Sequence, residues 1–381
     1  MKILFVCHRP YHVIRSSQLL ELVEHKYKNV QASIITYNVY NYAGGPVGSK
    51  SQIFKSFDHL FNYKAQYHKH IEFDRTGEPR IWNILDYLQY HNKTIKKIKT
   101  ILLDIGPIDN IFFFSDKEKP VEMTVSLAKE LFNSVIFLVD EGLVTYDTRN
   151  FFLLNILKKI IVWTFNIRNI SHSFNYGRSN LFDYSLSCIP EKSVIQSKKN
   201  FVLPVFNSTQ NCNVLNKKVK LPNGKVVLYV SSGLGWSYLY KNSDAEIDFL
   251  NQLISSLVQY GYKLTIKIHP NEPIDRYNDV KGAIIYDDPF VPAELLFSGK
   301  TIVLSQYSST LLNAKLSGIP SACLVKLLEL KETGSDISTS LVSLYCPSTW
   351  DELIKFIKDT MSTNEQTRIQ QDDEFLTVLK H

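Results

Sequence analysis

The chain has 381 residues, which suits two domains of about 150–200 residues better than a single core. Hydrophobic residues make up 44% and charged residues 21%, a composition typical of globular proteins and not of disordered ones. The net charge of +6 fits an anionic substrate or an anionic lipid surface, and no Arg-rich block indicates binding to nucleic acid.

The first half of the chain alternates between two patterns. Short apolar runs predict β-strands at 3–7, 32–37, 110–114 and 135–139. Apolar residues at helical spacing predict α-helices at 13–25, 81–103 and 121–132. This alternation predicts a parallel sheet with helices on both faces. The apolar start at 1–7 is too short for a signal peptide and is interpreted as the first strand.

Residues 151–170 mix short apolar runs with lysines and a tryptophan. The runs are too short to span a bilayer. Two interpretations stay open: a core helix of the first domain, or a helix lying at a membrane interface.

The second half repeats the alternation. Strands are predicted at 225–230, 264–268, 283–286, 301–304 and 321–325, and helices at 244–261, 310–317 and 349–361. The resulting division is an N-terminal Rossmann-like domain (1–200), a linker (201–222), a C-terminal Rossmann-like domain (223–361) and a polar C-terminal tail (362–381).

An acidic motif, Asp140-Glu141-Gly142, directly follows the strand at 135–139. Ligands of open α/β sheets bind at the carboxyl ends of the strands, so this is a candidate catalytic position. One acid could remove a proton from an acceptor hydroxyl while the other caps the following segment. The alternative is a pair of solvated loop acids.

A second motif, Lys267-Ile268-His269-Pro270, ends another strand. Pro270 ends the strand and keeps His269 out of helical conformation. Lys267 shares the strand face of His269, and a cation beside an imidazolium suits a phosphate leaving group. The alternative is a surface-loop histidine.

Three further features stand before helices. Ser308 and Ser309 would bind an anion at a helix N-terminus or simply cap that helix. Ser232 and Gly233 belong to a glycine turn that is either a phosphate cradle or a plain strand–helix turn. Asp244 is either a helix cap or a reserve base.

The sequence predicts neither a metal site nor a cofactor. The five cysteines are widely spaced, without a CxxC motif or a Cys/His cluster, which indicates reduced thiols and no structural zinc. No acidic D-x-D cluster calls for Mg²⁺ or Mn²⁺.

Taken together, these motifs resemble those of the bacterial sialyltransferases. That group carries an acidic D/E-D/E-G motif, a later His-Pro motif often within K-I-H-P, and then a paired serine, as at Asp140, His269 and Ser308 here. The opening at 7–13, Cys-His-Arg-Pro-Tyr-His-Val, is similar to that of glycosyltransferase family 52, the lipooligosaccharide sialyltransferases. The bacterial polysialyltransferases share the later motifs.

The resemblance implies a GT-B fold with two Rossmann-like domains facing a cleft, CMP-sialic acid as donor, no metal and inversion at the anomeric carbon. It implies that His269 stabilises the departing CMP phosphate, with Lys267, Pro270, Ser308, Ser309, Ser232 and Gly233 on the donor side. Asp140 or Glu141 would be the base, with Asp244 in reserve.

The predicted function is therefore transfer of sialic acid to a terminal sugar, expected to be galactose, of a bacterial surface glycan. The alternatives are another CMP-activated ulosonic acid as donor (legionaminic acid or Kdo), a polysialyltransferase, a sugar-nucleotide epimerase of GT-B type, and a capsule-assembly protein without activity. The expected location is cytoplasmic, on the inner face of the cell membrane. Expected partners are the donor, a glycan or lipid-linked acceptor, and a second copy in a homodimer, but no nucleic acid.

Overall fold

A computed structural model gives the structure of the chain. It describes residues 1–38, 62–63, 65–72, 83–116, 118–140, 142, 152–165, 167, 176–177, 179–205, 224–231, 245–269, 272, 274–286, 288, 291–297, 301–306, 308–328, 344–362 and 373–380. These form two compact units. The first contains the described residues from 1 to 204 together with 373–380, and the second contains those from 205 to 362.

The first unit is a parallel α/β sheet. Its strands are β1 (Lys2–Cys7), β2 (Gln31–Asn38), β3 (Tyr67–Glu72), β4 (Asn110–Phe113), β5 (Val135–Val139), β6 (Tyr184–Ser187) and β7 (Lys199–Val202). Its helices are α1 (Pro10–Lys26), α2 (Ile84–Ile105), α3 (Lys119–Phe132) and α4 (Phe152–Thr164), with 3₁₀ turns at Pro190–Lys192 and Glu374–Val378. The strand order is β3-β2-β1-β4-β5-β6-β7. The central strands β1, β4 and β5 are buried on both faces, which explains their continuous apolar runs.

A row of aromatic rings crosses one face of this sheet. Neighbouring ring centroids lie 5.4, 4.7, 5.4 and 5.8 Å apart along Phe5, Phe112, Phe137, Tyr184 and Phe201. The opposite face carries a core, mainly aliphatic with a few aromatic rings, on which α2, α3 and α4 pack.

The end of the chain covers the aromatic row. Phe375 is fully buried and meets the ring of Phe112 edge-on, with centroids 6.3 Å apart. Asn110 exchanges two hydrogen bonds with the backbone of Lys380, at 2.8 and 2.9 Å. Residues 373–380 therefore differ from the polar tail expected for 362–381, because Phe375, Leu376 and Leu379 are apolar and buried within an otherwise polar segment.

The second unit is a smaller parallel α/β sheet. It contains β8 (Val226–Val230), β9 (Lys263–Lys267), β10 (Ile284–Tyr286), β11 (Thr301–Ser305) and β12 (Ser321–Cys323) in the order β10-β9-β8-β11-β12. Its helices are α5 (Ala245–Val258), α6 (Ser309–Leu316) and α7 (Trp350–Ser362), with 3₁₀ turns at Ile274–Tyr277 and Ala293–Leu296. The predicted α/β architecture of two Rossmann-like units is thus confirmed. Among the described residues, no helix has the length and hydropathy needed to cross a bilayer.

Candidate active site

Asp140 of the acidic motif is a buried residue at the carboxyl end of β5. Its Oδ1 accepts a 2.5 Å hydrogen bond from the backbone N–H of Gly142, and its Oδ2 accepts a 3.0 Å hydrogen bond from the backbone N–H of Cys188, just after β6. Gly142 has a φ of 107°, a conformation that side chains rarely adopt. The Asp140 carboxylate therefore closes the turn after β5 and ties it to the end of β6.

Asp116, a second buried acid, follows β4 at the same edge of the sheet. Both of its carboxylate oxygens accept from the backbone N–H of Gly177, at 3.2 and 3.0 Å. The Tyr176 hydroxyl lies 3.2 Å from the carbonyl oxygen of Phe114 and 3.4 Å from that of Val139. Residues 176–177 are thus fixed against the ends of β4 and β5, a contact that the sequence analysis did not foresee.

The opening motif and the start of α1 supply two imidazole rings and a buried arginine near this edge. The rings of His8 and His12 are buried with centroids 4.3 Å apart, and His12 stacks on Phe114, also at 4.3 Å. Arg15 is fully buried and donates to the carbonyl oxygen of Pro204 at 2.8 Å and to Gln18 at 2.5 Å. The His8 and His12 rings therefore lie at the carboxyl end of β1, and His12 reaches Phe114 at the end of β4.

In the second unit, His269 stands on a turn after β9. Its backbone N–H donates to the hydroxyl of Ser231 at 2.7 Å, and its carbonyl oxygen accepts from the backbone N–H of Glu272 at 2.9 Å. The Ser231 hydroxyl donates in turn to the Glu272 carboxylate. Ser231, at the end of β8, thus joins both ends of the turn, and this bracing holds His269 at the carboxyl edge of the sheet.

Glu272 belongs to a buried network of side-chain hydrogen bonds that lies next to this turn. The Tyr277 hydroxyl lies 3.2 Å from Oε2 of Glu272 and 3.4 Å from Oε1 of Glu246, a buried residue of α5. Arg276 donates to Oε2 of Glu246 at 2.6 Å. Burial raises the pKa of Glu272, and the charge of Glu246 adds to this, while the Ser231 and Tyr277 hydroxyls and the Arg276 charge oppose it.

The network extends to the neighbouring strand end. The Gln306 side chain, directly after β11, donates to Oε1 of Glu246 at 2.8 Å and to the Tyr229 hydroxyl, which also donates to Glu246. The ends of β9, β8 and β11 are adjacent in the sheet, and this network of side chains connects all three.

Ser308 is the N-cap of α6. Its backbone is extended (φ −145°, ψ 139°) and its Oγ accepts from the backbone N–H of Thr310 at 3.2 Å. Glu294, which is buried, accepts from Thr310 at 3.1 Å and from Asn313 at 2.9 Å, and so holds the first turn of the helix. Ser309 is the first residue of the helix. The capping role weighed for Ser308 is therefore present, and its hydroxyl proton remains available to a ligand.

Lys267, the last residue of β9, is buried and its Nζ donates to the carbonyl oxygen of Ile268 at 2.8 Å. Its charge thus lies inside the unit, at the base of the His269 turn. The remaining expected site residues, Glu141, Ser232, Gly233, Asp244 and Pro270, lie outside the described residues. Within the described part of the chain, no group of three or more His, Cys, Asp or Glu side chains could hold a metal ion.

Among the residues of this arrangement that the sequence motifs did not single out are Glu272 and Asp116. For Glu272 a signal was present, an acid three residues after His269 in a turn that a proline already marks. For Asp116 the signal was its place two residues after the strand predicted at 110–114, close to the position after a strand that singled out Asp140.

Comparison with known protein families gives a match to the model of alpha-2,8-polysialyltransferase (POLYST) over residues 3–326. The chain belongs to this family. Membership makes it a sialyltransferase-type glycosyltransferase, as the motifs at Asp140, His269 and Ser308 indicated. The resemblance of the opening to glycosyltransferase family 52 is not confirmed. A search of curated proteins gives no match.

Solved structures similar to this member of the polysialyltransferase family show its fold. The glycosyltransferase VinC in complex with dTDP is 12% identical, with 94% of this chain and 92% of that chain covered and a TM-score of 0.50. MurG of Acinetobacter baumannii is 11% identical, with 99% and 92% covered and a TM-score of 0.43. The UDP-N-acetylglucosamine 2-epimerase of Rickettsia bellii is 12% identical, with 97% and 90% covered and a TM-score of 0.48. The similarity to VinC confirms the predicted GT-B fold.

Proposed function

We propose that the protein transfers sialic acid from CMP-sialic acid to a sugar hydroxyl, with inversion at the anomeric carbon and without a metal ion. The observation that carries this proposal is the row of three adjacent strand ends in the second unit. The ends of β9, β8 and β11 carry the His269 turn, the Ser231 brace and the N-terminus of α6, in that spatial order.

A helix N-terminus and an imidazole suit a nucleoside monophosphate leaving group. The backbone N–H of Ser309 and the hydroxyls of Ser308 and Ser309, at the N-terminus of α6, would hold the phosphate of CMP. His269 would donate a hydrogen bond or a proton to the same phosphate as negative charge develops on it. In this proposal Lys267 acts from inside the unit, at the base of the turn, rather than by contact with the donor. Pro270, Ser232 and Gly233 remain donor-side expectations.

The acceptor half of the reaction would use the acidic motif of the first unit. The acceptor oxygen attacks the anomeric carbon, the bond from that carbon to the phosphate oxygen breaks, and CMP leaves with the electron pair. The proton of the acceptor hydroxyl passes to a carboxylate. We assign that carboxylate to Glu141 and a positioning role to Asp140, because both oxygens of Asp140 already accept backbone N–H groups. Asp244 stays the reserve base.

The family match also supports a second candidate acceptor. Galactose is the acceptor expected from the sequence, whereas the family is described as alpha-2,8-polysialyltransferase. A terminal sialic acid, extended repeatedly, is therefore the second candidate, and the two differ in the acceptor alone. The donor would be the same.

The test is CMP release from CMP-Neu5Ac in EDTA, with a lactose-type acceptor, with a sialylated oligosaccharide, or with no acceptor. We expect acceptor-stimulated release that falls by about 100- to 1000-fold in His269→Ala. The matched control is His25→Ala, since His25 is exposed on α1. Release stimulated only by the sialylated acceptor would favour the second candidate, with a terminal sialic acid as acceptor.

Two outcomes would contradict the proposal. Acceptor-independent conversion of a UDP-sugar would favour the epimerase alternative. Release from a different CMP-ulosonic acid, but not from CMP-Neu5Ac, would keep the mechanism and replace the donor.

A further inference from the structure

Helix α4 (Phe152–Thr164) presents its apolar side to solvent. Large apolar side chains recur along it at intervals of three and four residues, the spacing of one helix face. Their exposed fractions are 78% for Leu153, 41% for Ile156, 42% for Leu157, 54% for Ile160 and 83% for Trp163. We call these five residues the α4 stripe. A continuous apolar patch of this kind marks an interaction surface.

The opposite side of α4 packs on the first unit. Val162 is buried in the aliphatic core of that unit and Ile161 packs against it. Lys158 is half-buried, and burial lowers its pKa while the negative charges of Glu122 and Asp116 raise it. Because Val162 and Lys158 face inward, the helix cannot turn its stripe into the core without expelling them. The exposure of the stripe is thus fixed by the packing of α4.

The charges around the stripe select its occupant. Residues 152–164 contain no Asp or Glu, and exposed Lys159 lies one turn before Trp163. Helix α2 packs on the same core and carries exposed lysines at positions 93, 96, 97 and 99 in its middle, with exposed acids at positions 86 and 104 towards its ends. Within α4 itself, apolar residues and a tryptophan stand beside lysines without acids, a composition typical of a helix that lies in an anionic membrane interface. A second copy of this surface would bring like charges together.

We propose that the α4 stripe inserts into the surface of an anionic lipid bilayer, with α4 parallel to the membrane plane. The helix has 13 residues, about 20 Å at 1.5 Å per residue, and is too short to cross a hydrocarbon core of about 30 Å. Residues 151–170 left open a core helix or a helix at a membrane interface. In this proposal α4 is both, because one side packs in the core and the other is available to lipid. This inference is independent of the donor and acceptor chemistry.

The test is co-sedimentation of the full chain with vesicles of phosphatidylcholine and phosphatidylglycerol, compared with phosphatidylcholine alone. The wild type should bind the anionic vesicles, and binding should weaken as salt screens the lysines. The double variant Leu153→Glu/Ile160→Glu should lose about tenfold or more in vesicle affinity. Its matched control is Val258→Glu/Ile284→Glu, which adds the same charge at two exposed apolar positions of the second unit.

The same preparations distinguish the possible outcomes. Thermal unfolding of each variant shows that it is folded, and CMP release in solution shows that the active site is intact. Trp163→Phe should remove the fluorescence change that the wild type shows on adding anionic vesicles. The proposal is overturned if the wild type does not bind these vesicles, or if both double variants lose binding equally. It is also overturned if the wild type is a dimer that the stripe variant converts to a monomer, since a second copy would then occupy the stripe.

Discussion

The backbone N–H of His269 donates a 2.7 Å hydrogen bond to the Ser231 hydroxyl, which joins the ends of β9 and β8. The same hydroxyl donates to the carboxylate of Glu272, three residues after His269. The position of the His269 imidazole therefore depends on Ser231, at the end of another strand, and on Glu272. Neither residue has to contact the substrate to have this effect.

Removing the Ser231 hydroxyl should displace the His269 turn. Ser231→Ala leaves the His269 N–H and the Glu272 carboxylate each without this partner, and we expect kcat to fall about 10- to 100-fold, with a smaller change in KM. Ser255→Ala is the control, because Ser255 is an exposed serine of α5 that bonds only within its helix. A Ser231→Ala enzyme with unchanged kcat would show that the hydroxyl does not position His269.

Glu272 should make stability depend on pH. Its pKa is raised in the folded state, mainly by burial, so the folded protein holds the proton more tightly than the unfolded chain does. The resulting stabilisation is fully present below the unfolded pKa, near the ordinary value of 4.5, and is lost as pH rises through the raised folded pKa. Glu272→Gln has no carboxyl group to titrate at this position, so its stability does not fall in this way. The unfolding free energy of the variant, measured relative to that of the wild type, should therefore increase as pH rises.

Urea unfolding at a series of pH values measures this difference. The control is Asp248→Asn, an exposed acid on α5. Parallel pH curves for wild type and Glu272→Gln would contradict the expectation.

Asp140 should act through the turn after β5. In Asp140→Asn one carboxylate oxygen becomes an NH₂ group, which cannot accept from Gly142 or Cys188. We expect a loss of about 1–3 kcal/mol in unfolding free energy together with reduced activity. Glu141→Gln should instead lower kcat without this loss of stability. An Asp140→Asn protein that is as stable as the wild type, yet almost inactive, would make Asp140 itself the base.

Elements with a strong local pattern were predicted well from the sequence. The strand at 135–139 matches β5, and the helix expected at 121–132 is α3, which starts at Lys119 because Pro120 is tolerated in a first turn. The strand β3 was not predicted, since Tyr67–Glu72 reads Tyr-His-Lys-His-Ile-Glu and lacks an apolar run. Among the described strands it stands at the edge of the sheet and pairs with β2, where the Thr36 hydroxyl lies 2.9 Å from the ring of His70.

The site was predictable only where it coincided with a strand end. Asp140, His269 and Ser308 each follow an apolar run, and position alone marked them as candidates. The partner of Glu272 is 41 residues away in sequence, and that of Asp116 is 61 residues away. Such contacts form only when the sheet brings distant strand ends together. The local pattern of apolar residues therefore cannot predict them.

The buried C-terminal segment should contribute strongly to the stability of the first unit. Phe375 covers the aromatic row, so Phe375→Ala should cost about 3–5 kcal/mol through lost burial and an unfilled cavity. Thr377→Ala is the control, because Thr377 is exposed and its hydroxyl bonds only to Glu374 in the same turn. Equal stabilities of the two variants would show that the segment does not stabilise the sheet.

Two separate effects should make Gly177→Ala destabilising: backbone strain and a steric contact. Its φ is +68°, and a Cβ there would lie 2.6 Å from Cγ1 of Ile195. Gly106 in the same unit also has a positive φ, +83°, but the nearest atom to its Cβ would be the Nζ of Lys2, at 3.7 Å. Gly106→Ala therefore measures the backbone strain alone, about 1–3 kcal/mol, and Gly177→Ala should cost clearly more because the contact with Ile195 is added.

The functional consequence of Gly177→Ala follows from its partner. The Gly177 N–H is the group that both oxygens of Asp116 accept, so moving residue 177 disturbs the acid at the end of β4. We expect Gly177→Ala to lower activity at temperatures where the protein is still folded, whereas Gly106→Ala keeps full activity. Equal unfolding free energies for the two variants, measured by urea denaturation, would show that residue 195 yields to the added methyl group.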